Sequence, residues 1–103
     1  MIFVYAIGEP DEMLSGQIGF FGSILPAAWS LMLAMRARGI GTTWTSLLSA
    51  RPKAISQILG VPDGVTQTVM LPAGYMLGAT LKPADRLSPR EVTYWNRWGE
   101  LDI

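Results

Sequence analysis

The chain has 103 residues, of which 50% are hydrophobic and 16% charged, with eight basic and eight acidic side chains balancing to a net charge of zero. It contains neither cysteine nor histidine, which excludes disulfides, thiolate nucleophiles, Cys/His metal sites and every Ser-His or Cys-His catalytic pair. The scattered, balanced charge gives no basic stripe for nucleic acid and no field toward an anionic surface, so neither a nucleic acid nor a membrane is expected as a partner.

The length is that of one domain, residues 1–103. Its charged share falls well below the usual value of about 25%. A small domain leaves much of its surface in water, so the excess apolar surface calls for a second protein surface or an apolar ligand. With no histidine as a neutral-pH base, no side chain is nominated as catalytic; any redox chemistry would fall to a cofactor.

Ile2-Phe3-Val4-Tyr5-Ala6-Ile7, ended by Gly8 and Pro10, reads as a strand buried on both faces, which needs neighbours on both sides. Glu9 to Gly22 reads as a loop broken by Pro10, Gly16, Gly19 and Gly22. Ser23 to Arg38 reads as the main helix, with Ser23 as N-cap, Pro26 in the first turn and Gly39 as the stop. Ala27, Ala28, Leu31, Met32, Leu33, Ala34 and Met35 leave that helix almost no polar face, so it is expected to be enclosed on all sides. The uncharged run from Met13 to Met35 raises the question of a membrane span, and its glycines, Gln17 and Pro26 argue against one. No basic segment of a signal peptide precedes it.

Ile40 to Leu48 reads as a glycine turn entering an extended segment. Pro52 to Leu59 follows as a short helix closed by Gly60, with Ser49 as a possible cap. Val61 to Gly64 is a turn, Val65 to Pro72 a second strand, and Gly74 to Arg86 a loop. Ser88-Pro89-Arg90-Glu91 has the form of a capping box with proline at the first helical position, opening a helix expected to reach about Trp98. On that helix Trp95 and Trp98 would share one face, as packing or as an anchor on a partner.

Three features bear on chemistry. Gly39-Ile40-Gly41-Thr42-Thr43 is either a helix stop with a turn or a place where backbone N–H groups approach a flat ligand; it lacks a P-loop lysine and follows a helix, unlike a Rossmann fingerprint. Trp44-Thr45-Ser46 is either an ordinary strand with a core tryptophan or the wall of an aromatic cofactor site. Lys82 and Arg86 are either solvated loop charges or a phosphate clamp. No metal-ligand cluster is visible. The methionines Met32, Met35, Met70 and Met76 read as core filler.

The run from Ser23 to Ser46, through Pro26-Ala27 and Leu33-Ala34-Met35-Arg36-Ala37-Arg38-Gly39-Ile40-Gly41-Thr42, resembles the "PAxxxLxLAARAxGLGT" helix of the FMN-dependent nitroreductase family. Gly60-Val61-Pro62-Asp63-Gly64 and Pro72-Ala73-Gly74-Tyr75 are similar to that family's "GIPxG" and "PxGY" elements, and Arg86 to its late basic residue. The resemblance implies an α+β partial nitroreductase-like fold, with central sheet strands flanked by helices and a long interface helix. It implies that Thr43, Trp44, Thr45 and Ser46 meet the isoalloxazine ring of FMN, and that Arg86, aided by Lys82, meets its phosphate. It implies NAD(P)H as reductant, a nitroaromatic or quinone-type acceptor and a homodimer, and the absence of cysteine permits the expected cytoplasmic location. The family's N-terminal "RRSxRxF" signature has no counterpart here, so the chain looks like the C-terminal half of such a domain. A partner chain would then supply the missing half; alternatively, the chain is a dimerisation scaffold without FMN. An unrelated small-ligand binder that merely shares the apolar helix is the remaining reading, and residues 2–7 and 65–72 lying in separate sheets would promote it.

Overall fold

The computed structural model describes residues 1–78 and 80–101. The order of elements is β1 (Ile2–Ile7), α1 (Leu14–Arg36), β2 (Ile40–Thr42), a 3-10 turn (Leu47–Ala50), α2 (Pro52–Leu59), β3 (Val65–Leu71), β4 (Ala73–Tyr75) and α3 (Pro89–Val92). β1 and β3 form one antiparallel sheet, with Ile2 opposite Leu71 and Ile7 opposite Val65, and a bulge between Phe3 and Tyr5. β2 and β4 form a second antiparallel pair, with Gly41 opposite Gly74. The fold is α+β, as the sequence indicates.

The core lies where α1 crosses the first sheet. Ala28, Val69 and Leu71 are buried there, with Ile2, Val4, Leu25 and Met32 packed around them. Leu25, Ala28 and Met32 are spaced three and four apart, so they form one stripe of α1. The opposite face of the helix carries Gly19, Ser23, Pro26, Ser30 and Ala34, all exposed. Ala28 is the one residue of α1 that is buried within the single chain, so the enclosure expected of this helix is not supplied by the chain's own elements. By length and composition α1 is also long and apolar enough to cross a membrane; its stripe on the sheet gives one face a protein neighbour.

The shape accords with an incomplete enclosure. The radius of gyration is 17.9 Å, against about 13 Å for a compact domain of this length. The chain measures 53 × 45 × 20 Å, a slab with one thin dimension. Its accessible surface is 8438 Å², where a compact monomer of this mass would expose about 5,700 Å².

Several boundaries differ from those the sequence indicates. Glu9–Gly22 is not all loop, since α1 begins at Leu14. Gly16 marks the helix entry: a Cβ there would lie 2.3 Å from Cβ of Asp11, whose Oδ1 accepts from the Met13 amide at 2.8 Å. Ser23 is no cap. It sits inside the helix, its hydroxyl donating to the Phe20 carbonyl at 2.6 Å, and Pro26 lies mid-helix. Helical geometry ends at Arg36, and Gly39 takes the left-handed conformation that stops the chain, at φ 78°. Ser49 does not cap α2; the N-cap position is Arg51, and the Ser49 hydroxyl donates to the Thr68 carbonyl at 2.9 Å.

The capping box forms as expected, with both the Ser88 and Glu91 bonds present, but α3 ends at Val92. Thr93 is extended, and Asn96 and Gly99 have positive φ. Trp95 and Trp98 therefore share no helical face, and Trp98 packs beside Tyr94 with ring centroids 4.9 Å apart. β1 is only half-buried apart from Ala6, and Ile7 is exposed. Part of the expected loop after Gly74 is strand β4; that loop assignment at Ala79 lies outside the described residues.

Candidate functional site

The segment from Thr43 to Ser46 runs along the edge of β3. The Thr43 amide donates to the Pro72 carbonyl at 3.2 Å, and Thr45 and Met70 exchange backbone bonds of 3.1 and 2.9 Å. Extended backbone alternates its hydrogen-bonding direction residue by residue. The amides of Trp44 and Ser46 therefore point away from β3, and neither has a partner among the described residues. Trp44 holds its ring 38% exposed beside them. Two outward N–H donors, an accessible ring and hydroxyls at positions 43, 45 and 46 suit the acceptor-rich edge of a planar heterocycle.

Two of the four residues, Thr43 and Ser46, line grooves. Ser46 lines one with Ser49, Thr68, Gln67 and Phe21, bounded by α2. Thr43 lines the other with Trp29, Leu33 and Arg36 of α1, together with Met76 and Leu81. Leu81 precedes Lys82, so the chain brings Lys82 to within one residue of the groove that holds Thr43. Arg86 is exposed, and its guanidinium donates to the neighbouring Asp85 carbonyl at 3.2 Å. Lys82 is exposed as well. Residues 43–46 are thus held along β3, whereas Lys82 and Arg86 are both exposed in the later loop.

The grooves add residues that the sequence did not single out. Tyr5 and Gln67 face each other across β1 and β3, and the Tyr5 hydroxyl and the Gln67 carboxamide are buried without a hydrogen-bond partner among the described residues. Arg36 and Met76, forty residues apart, meet at 2.7 Å between Nη1 and Sδ. No local pattern announces such contacts, since they depend on α1 lying against β2. Among the described residues no group of His, Cys, Asp and Glu could hold a metal ion.

Fold and segment together define an α+β domain with an extended segment, residues 43–46, along the edge of β3 and a large apolar surface left open. The chain belongs to the nitroreductase family, whose model matches residues 1–75. It is therefore a domain of an oxidoreductase family whose members generally use flavin cofactors. No curated protein matches the chain. β1 and β3 share one sheet, so the arrangement that would have promoted an unrelated ligand binder is not the one found.

Proposed function

We propose that this chain is the flavin-facing portion of an FMN-dependent, NAD(P)H-driven oxidoreductase that reduces nitroaromatic or quinone-type acceptors. The observation that carries the reading is the pair of outward amides at Trp44 and Ser46, inside the region that matches the family. When bound, FMN supplies the redox chemistry, taking an electron pair from NAD(P)H and passing it to the acceptor. The chain's own residues bind and orient. Trp44 and Ser46 donate backbone hydrogen bonds to the ring, Thr43 and Thr45 fix the strip to β3, and the apolar flank of α1 keeps water out. Lys82 and Arg86 hold the phosphate once their loop closes on it.

A second copy, or a partner chain carrying the rest of the domain, covers the outward face of α1. Support comes from the excess accessible surface and from the small residues Gly19, Ser23 and Ser30, which let another backbone approach closely. The cytoplasm is the proposed location, with α1 buried in protein rather than in lipid. Purified protein should be yellow, and titration with FMN should quench flavin fluorescence. A colourless protein that binds no FMN at high concentration removes the catalytic reading.

The exposed positions of Lys82 and Arg86, with Arg86 turned to its own neighbour's carbonyl, favour a second reading. In it the chain is a dimerisation scaffold that holds no FMN. Light scattering that finds a stable oligomer without flavin would select it.

A further inference from the structure

The groove between α1 and β2, which Thr43 also lines, carries on its α1 side an arginine to which the flavin reading gives no role. It encloses about 410 Å³ and is walled by Trp29, Met32 and Leu33 of α1 and by Ile40 and Met76. Trp29, Leu33 and Arg36 follow one another by four and three residues, so they lie along one flank of the helix. An indole, an aliphatic side chain and a guanidinium thus form a strip, apolar at one end and cationic at the other.

The Arg36 guanidinium is exposed and meets only a weak acceptor from the protein. It offers five N–H donors, and a thioether is a weak acceptor. Among the described residues the one hydrogen bond of the Arg36 side chain is to Sδ of Met76. Met76 lies close over Gly41, where a Cβ would come within 2.9 Å of its Cγ. Arg38, two residues on, behaves differently and donates to the Ala34 carbonyl of its own helix at 3.0 Å. A carboxylate is a far stronger acceptor than a thioether.

From this geometry we propose that the groove binds a planar aromatic carboxylate, its ring lying against Trp29 and its anionic end taken by Arg36 in place of Met76. The proposal concerns the protein without FMN and stands whether or not FMN binds. The test uses 1-naphthoate, with uncharged 1-naphthylmethanol as the control, each titrated by calorimetry into the full chain. Naphthoate should bind about tenfold more tightly than the alcohol, the worth of one charge-assisted contact. Arg36→Gln should erase that preference, Arg36→Lys should keep part of it, and Arg38→Gln should leave it intact. Trp29→Ala should weaken both ligands. Circular dichroism establishes that each variant is folded. Equal affinities for acid and alcohol would overturn the proposal, as would an unchanged preference in Arg36→Gln or an equal loss in Arg38→Gln.

Discussion

Leu71 is the side chain on which the contact between sheet and helix turns. It is fully buried, at 0% exposure, and shares its cluster with Val69 and Ala28, which joins β3 to α1. Leu71→Ala removes the buried isobutyl group and leaves a cavity where the helix crosses the sheet. Substitutions of this kind cost about 3–5 kcal/mol where the surroundings hold their shape. The slab is only 20 Å thick, so neighbours can close part of the gap, and the lower end of that range, about 3 kcal/mol, is expected. Against a total of about 5–15 kcal/mol for a native domain, that is a large fraction, and it corresponds to a fall in Tm of at least about 12 °C for a chain of this size. Urea denaturation followed by circular dichroism measures it, with Leu77→Ala as the control. Leu77 is 95% exposed, and its loss should change stability by no more than about 0.5 kcal/mol. If Leu71→Ala cost less than about 1 kcal/mol, or no more than the control, the helix would not be docked through this cluster.

Other consequences follow from named contacts. Ser49→Ala removes the hydroxyl that donates to the Thr68 carbonyl and should cost about 1 kcal/mol in urea denaturation, while Ser49→Thr should retain most of it. Ser88→Ala breaks the capping box of α3 and should speed amide exchange at Arg90 and Glu91 by about fivefold, for a cap worth about 1 kcal/mol, leaving exchange in β3 unchanged. Trp44→Ala removes the exposed ring beside the outward amides and should weaken FMN at least tenfold in a fluorescence titration, with thermal stability little altered. If α1 is covered by protein and not by lipid, the expressed chain should remain in the supernatant after ultracentrifugation of a lysate without detergent; recovery in the membrane pellet, released only by detergent, would contradict that placement.

The elements legible in the sequence were those specified by local chemistry. Ile2–Ile7 has a β-branched and aromatic run with glycine and proline after it, and Pro52–Leu59 has proline at its start and a left-handed Gly60 at its end. The Ser88–Glu91 box states its own hydrogen bonds. The start of α1 was hidden because Gly16, Gly19 and Gly22 read as breakers, although each glycine costs a helix only about 1 kcal/mol. Packing of Leu25, Ala28 and Met32 on the sheet outweighs that cost. At the far end, Thr93 and Tyr94 favour extended backbone, and no core receives the tryptophans, so α3 is a single turn. The extended segment from Thr43 to Ser46 could be picked out because it is continuous in sequence. The Arg36–Met76 contact and the Tyr5–Gln67 pair join residues forty and sixty-two positions apart, and only the folded chain brings them together.

The claim beneath all of this is that α1 has an outward face made to be covered by another protein chain. Sedimentation equilibrium of the purified chain at micromolar concentration tests it most directly. The account predicts a mass at least twice the 11.2 kDa of one chain, with Gly19→Leu on the exposed face lowering that mass while helicity is kept. A stable, folded species of 11.2 kDa at every concentration would contradict it.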